Sequence, residues 1–134
     1  MMIKQISAAQ TWPIRHQVMW PDQPFEYVKL EEDDNGIHFG LFEDTDLRSI
    51  VSLFIKSNEA QFRKLATLEA YQGRGYASQL IEHLITFCKQ RKVKRLWCNA
   101  RTSKSSFYQK FGFEETSIRF TKKGEYYVIM ERAI

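Results

Sequence analysis

The sequence predicts a mixed α/β chain built on a mostly antiparallel sheet with one parallel crossover. Three stretches carry that expectation. Apolar, β-branched runs separated by turn residues fill the middle, an amphipathic helical pattern follows them, and the tail reads as a hairpin. The chain has 134 residues with no repeat and no linker-like stretch, which fits a single domain over residues 1–134. A chain of this size buries roughly two thirds of its unfolded surface on folding. Apolar residues at 43% supply the core.

Taken in order, Ile3 to Ile6 reads as a first strand, and Ser7 is placed to cap a helix running to about Met19. Pro13 falls in that helix's first turns, and Trp20-Pro21-Asp22-Gln23-Pro24 ends it. Glu31 to Asp34 form an acidic run, read as a solvated loop closed by an Asn35-Gly36 turn. Ile37 to Glu43, Ser49 to Lys56 and Gln61 to Leu68 then read as three meandering strands, separated by Asp44-Thr45-Asp46 and Ser57-Asn58.

The clearest segment follows. Ala77, Leu80, Ile81, Leu84, Ile85 and Cys88 recur at the spacing of one helix face. Lys89, Arg91 and Lys92 sit at its C-terminal end, where cations complement the helix dipole. A strand at Lys94 to Asn99 follows, and a strand–helix–strand crossover implies parallel pairing. Trp97 on this strand is expected to face the core. Ser103 to Phe111 is a short helix stopped by Gly112. Glu115 to Phe120 and Glu125 to Met130 form the hairpin around Lys122-Lys123-Gly124. The sheet is therefore expected to hold about six to seven strands, flanked by helices.

Composition narrows the function. The longest apolar stretches, such as Ile50 to Ile55, fall far short of the roughly 20 residues of a membrane span. Met1 to Gln10 has no apolar segment of the signal-peptide kind. Cys88 and Cys98 lack metal-ligand spacing, so no metal is expected. They read as buried reduced thiols, which points to the cytoplasm. A net charge of +4 favours an anionic ligand without reaching the charge density of a nucleic-acid binder. The basic residues from Lys89 to Lys104 have only Trp97 among them as an aromatic, so no nucleic-acid partner is expected, and no membrane.

The chemistry starts at Gln72-Gly73-Arg74-Gly75-Tyr76-Ala77, between a strand and the long helix. Such a loop turns backbone N–H groups outward at the positive end of a helix dipole. Small residues admit a phosphate to the backbone, and Arg74 adds a charge-assisted contact. The sequence is wrong for a P-loop, because Tyr76-Ala77 stands where Lys-Ser/Thr is needed. A dinucleotide fingerprint wants an acid about 20 residues on, where this chain has Lys94 and Arg95. A tight packing corner with no ligand is the plain structural alternative.

Gln72-x-x-Gly75-x-Ala77 resembles the Q/R-x-x-G-x-G/A signature of the GNAT superfamily of N-acetyltransferases, whose loop holds the pyrophosphate of acetyl-CoA. Phe107-Tyr108-Gln109-Lys110-Phe111-Gly112-Phe113 resembles that family's second signature, F-Y-x-x-x-G-F. The order of strands and helices agrees over nearly the whole chain. The resemblance implies a GNAT fold with a strand–pyrophosphate loop–helix unit, acetyl-CoA as co-substrate, and transfer of the acetyl group to an amine by direct attack. It places the pantetheine arm along the fourth strand, on Leu65, Ala66, Thr67 and Leu68. A backbone N–H near Leu65 is then the oxyanion donor. The phosphates fall to Gln72, Gly73, Arg74, Gly75, Tyr76 and Ala77.

Tyr108 takes the family position of the acid that protonates the departing thiolate, with a core aromatic whose hydroxyl finds a backbone partner as the other reading. Arg101, where many relatives carry Asn, either reaches a CoA phosphate or is a solvated helix-start residue. The base is less well marked. Gln61 stands where some members carry a Glu, and 93–100 contains no carboxylate. His38 and Glu69 remain as candidates, beside a water chain or an acceptor amine of low pKa.

The resemblance implies that the first helix and the following loop select the acceptor, here Arg15, His16, Trp20, Pro21 and the acidic run. The acceptor itself is unnamed, and the chain is a monomer or homodimer. A CoA-binding module without transfer activity is the alternative from another class.

Overall fold

The computed structural model describes residues 1–134. Seven strands and three helices follow one another as β1 (Met2–Ile6), α1 (Ala8–Met19), β2 (Ile37–Glu43), β3 (Asp46–Lys56), β4 (Glu59–Thr67), α2 (Tyr76–Gln90), β5 (Arg95–Arg101), α3 (Ser105–Gln109), β6 (Glu114–Lys122) and β7 (Glu125–Ala133). Short 3-10 turns lie at Phe25–Val28, Glu31–Asn35, Glu69–Tyr71 and Thr102–Lys104. The strands form one sheet in the order β1-β2-β3-β4-β5-β7-β6. No helix is long and apolar enough to cross a membrane.

The chain divides into two compact units, residues 1–54 with 63–84, and residues 55–62 with 85–134. In the first unit β1, β2 and β3 form an antiparallel meander, from Met2↔Phe42 to Ile6↔His38 and from Ile37↔Leu53 to Glu43↔Asp46. Ser7 caps α1 as its sequence suggests. Its hydroxyl accepts from Gln10 N at 3.3 Å while Gln10 Oε1 accepts from Ser7 N at 2.8 Å, a reciprocal capping box. Ile14, Ile50 and Ala66 are buried together, with Ile6, Val18, Met19, Leu47 and Leu68 packed against them.

Two readings of this region change. The acidic run is not a uniformly solvated loop: it winds into a 3-10 turn that leaves Asp33 only 4% exposed. Arg15, expected to face an acceptor, is fully buried. The two form a fork-to-fork ion pair, Arg15 Nη1 and Nη2 donating to Asp33 Oδ2 and Oδ1 at 2.9 Å each. Arg15 also donates to Val28 O at 3.1 Å and Ser52 Oγ at 2.9 Å, and Trp12 Nε1 donates to Asp33 Oδ2 at 3.0 Å. Burial raises the carboxyl pKa of Asp33. The Arg15 hydrogen bonds, Leu30 N and Trp12 overcome it, and the net direction is down.

In the second unit β5 pairs parallel with the start of β4, Glu59↔Arg95 to Gln61↔Trp97, as the crossover requires. Its other edge pairs antiparallel with β7, Arg95↔Ala133 to Arg101↔Tyr127. Leu96, Cys98 and Ala100 are buried. By parity Trp97 projects from the opposite face, half-buried, with the Arg95 guanidinium 5.4 Å above its ring. It therefore does not face the core as expected. Arg95 is itself held by Glu131 at 2.6 Å and Glu59 at 3.0 Å. The hairpin turns on Lys123 and Gly124, both left-handed at φ 51° and 81°, the signature of a two-residue type I′ turn.

Candidate active site

The first unit carries the glycine loop. Gly73 and Gly75 have φ of +79° and +84°, and a Cβ built on either would meet nothing within 4 Å. They are needed for backbone conformation, not for space, on a loop that opens outward. Left-handed residues at alternate positions turn successive N–H groups into an anion-binding concavity. The loop runs directly into α2, where Gln79 N closes the first turn on Gly75 O at 3.1 Å. Gly73, Arg74 and Gly75 are exposed, Ala77 is half-buried, and the Tyr76 side chain is buried at 4% exposure. Any ligand contact from Tyr76 therefore falls to its backbone.

Gln72 does something its motif position did not reveal. Its Nε2 donates to Thr67 O at 3.0 Å, tying the loop to the end of β4. Other groups at this strand end are also engaged. Ser49 Oγ donates to Ala66 O at 3.0 Å and lies 2.7 Å from Thr67 Oγ1, and Leu68 N donates to Arg48 O at 3.0 Å. Among Leu65, Ala66, Thr67 and Leu68, internal bonds thus occupy Ala66 O, Thr67 O and Leu68 N. Lys64, just before Leu65, is left-handed at φ 57°. Nothing in the sequence marks this break, because Lys lacks the conformational licence of Gly or Asn.

The proposed bases divide. His38 is 3% exposed with Nδ1 2.7 Å from Ser52 Oγ and Nε2 2.9 Å from Asp33 O. A backbone carbonyl only accepts, so Nε2 donates to Asp33 O, while Nδ1 shares a hydrogen bond with Ser52 Oγ, which also accepts from Arg15 Nη2. Both ring nitrogens are spent, which removes His38 as a base. Glu69 is exposed in the 3-10 turn before the loop.

Tyr108 belongs to the second unit. Its ring packs among Phe62 at 5.7 Å, Phe107 at 5.2 Å and Phe113 at 6.1 Å between centroids. No group of the protein hydrogen-bonds its hydroxyl. The reading in which a backbone partner holds that hydroxyl therefore loses its basis. Burial, with a smaller push from Cys98, raises the phenol's pKa well above its ordinary value, so it stays protonated at neutral pH. Gly112, left-handed at φ 85°, turns the chain out of α3 and seats Phe113 at 1% exposure. Arg101 is exposed at the end of β5. No group of three or more His, Cys, Asp or Glu is placed to hold a metal ion.

Residues 14–134 match the family model described as an acetyltransferase (GNAT) domain. The chain belongs to the GNAT family of acetyltransferases. It is 34% identical over 131 residues to the uncharacterized N-acetyltransferase YitI of Bacillus subtilis, covering 91% of this chain and 88% of that protein. It is 30% identical over 106 residues to the [ribosomal protein bS18]-alanine N-acetyltransferase of Haemophilus influenzae, covering 78% and 70%. Among solved structures, the ribosomal-protein-S18-alanine N-acetyltransferase of Escherichia coli superposes with a TM-score of 0.82 at 23% identity, over 99% of this chain and 93% of that one. A GNAT family acetyltransferase of Elizabethkingia anophelis with acetyl-CoA bound gives 0.76 at 18%, over 99% and 97%. This GNAT chain therefore has the sheet and helices of its family, including the strand–loop–helix unit that the Gln72–Ala77 signature suggested.

Proposed function

We propose that this GNAT protein, acting as one domain in the cytoplasm, transfers the acetyl group of acetyl-CoA to a primary amine. The glycine loop carries the reading: left-handed Gly73 and Gly75 leading into α2 suit a pyrophosphate. Backbone groups of Gly73, Arg74, Gly75, Tyr76 and Ala77 take the phosphates, with Arg74 as the added charge. Gln72 holds the loop to Thr67. The pantetheine arm follows Leu65 to Leu68, and Arg101 is a further candidate for a CoA phosphate. The amine nitrogen attacks the thioester carbonyl carbon, the oxyanion takes the N–H of Leu65, and the C–S bond breaks. Tyr108 gives its proton to the leaving sulfur, the ammonium loses one to water, and the phenol regains its proton from solvent.

With His38 spent and Gln61 unable to serve as a base, the acceptor's own pKa decides the cost. Freeing a lysine-type amine at pH 7 costs about 4–5 kcal/mol, and freeing an α-amino group costs about 1 kcal/mol. An exposed α-amino group therefore fits better than a lysine side chain. The relatives named for bS18 alanine agree, since alanine's one amine is its α-amino group. The same shortage of bases favours a second reading, a CoA-binding module without transfer.

Calorimetric titration with acetyl-CoA tests the donor site. Micromolar binding by the wild type is expected, and Gly75→Glu should abolish it, because a carboxylate then stands in the anion site on a residue with positive φ. Equal binding by both proteins would remove the loop from the account. No binding by the wild type would remove acetyl-CoA.

A further inference from the structure

Beside the loop, Tyr71 is shared by two arginines. The Arg48 Cζ lies 3.9 Å from its ring centroid and the Arg74 Cζ lies 5.0 Å from it. The two differ in what else they do. Arg48 is tied to Glu43 and Asp46 at 3.3 Å each, and its side chain is 20% exposed. Its backbone carbonyl also accepts from Leu68 N at 3.0 Å, three residues before Tyr71. Its charge is already matched, so it acts as a brace. Arg74 is exposed, forms no ion pair, and rests only on the tyrosine ring.

We propose that Tyr71, braced by Arg48, is a positioning residue that holds the Arg74 guanidinium ready for the donor's diphosphate. The inference rests on the reading that this loop takes the phosphates of CoA. A long exposed arginine samples many rotamers, and a ligand that recruits it must bear the cost of ordering it. A π-face restrains the guanidinium without neutralising it, because a cation–π contact uses the ring quadrupole and leaves every N–H free to donate. The alternatives for Tyr71 are a purely structural plug under the loop, or a hydroxyl that itself binds phosphate. Each makes a different prediction.

The test is a double-mutant cycle on the full chain, read by calorimetric titration with CoA and checked by thermal melts. Arg74→Ala is expected to weaken CoA binding about tenfold, the worth of one charge-assisted contact. Tyr71→Leu should weaken it about threefold to fivefold, and Tyr71→Phe, which keeps the ring, should bind as wild type. In the Arg74→Ala background Tyr71→Leu should have no further effect. An undiminished loss there would make Tyr71 a structural plug and overturn the proposal, as would Tyr71→Phe binding as poorly as Tyr71→Leu. Should Tyr71→Leu fail to fold, Arg48→Met removes the brace and is expected to weaken binding only where Arg74 is present. Wild type that binds CoA while the cycle is additive refutes this inference alone. Wild type that binds no CoA refutes the donor site with it.

Discussion

Asp33→Ala is expected to destabilise the protein by about 3–5 kcal/mol. The substitution strands the fully buried Arg15 guanidinium, which loses both carboxylate contacts and keeps only Val28 O and Ser52 Oγ. It also removes the acceptor for Trp12 Nε1 and Leu30 N. Because an unpaired buried charge carries the penalty, Arg15→Met/Asp33→Ala should be less destabilised than Asp33→Ala alone. Urea melts of both variants measure this, and a double variant as unstable as the sum of two single losses would contradict it. The pH dependence has a fixed sign. The folded carboxyl pKa of Asp33 lies below its unfolded value, so its stabilisation is complete above the unfolded pKa and is lost as pH falls through the folded one. Asp33→Ala should therefore flatten the acid limb of the stability curve and leave the neutral region parallel to wild type.

Tyr108→Phe should lower kcat by about a hundredfold or more, within the range of general acid catalysis, with acetyl-CoA affinity unchanged. The phenylalanine keeps the ring contacts to Phe62, Phe107 and Phe113, so the fold is preserved and only the donor hydroxyl goes. With the phenol pKa raised by burial and, less, by Cys98, any alkaline limb due to Tyr108 lies above pH of about 10. A variant with full kcat would return Tyr108 to the role of a packing aromatic.

The fold and the glycine loop's backbone geometry were legible because they follow local rules. The helix face from Ala77 to Cys88, the Ser7 cap and the glycines at 73 and 75 each reflect periodicity, capping or positive φ, which a sequence displays directly. What stayed hidden depends on partners distant in the chain. Asp33 looks like Glu31, Glu32 and Asp34 in sequence, and only the docking of Arg15 from α1 separates the buried acid from its neighbours. His38 is one candidate base in sequence, and only its folded partners, Ser52 Oγ and the Asp33 carbonyl, show it as a hydrogen-bonded structural histidine. Trp97 is large and apolar, which suggested the core, yet strand parity placed Leu96 and Cys98 there instead. Lys64 adopts a left-handed φ that its residue type gives no reason to expect. Gln72 fits the motif, but nothing in the motif shows its side chain reaching back to Thr67 O.

Transfer to an amine is read out by thiol release from acetyl-CoA. The wild type should be assayed with a peptide bearing a free N-terminal alanine, the same peptide N-blocked but carrying a lysine, and a panel of small amines. CoA release with the free α-amine is expected, with kcat/KM rising toward a plateau near pH 8, where such amines lose their proton. Saturable acetyl-CoA binding with no thiol release from any amine would contradict it and leave a CoA-binding module in its place.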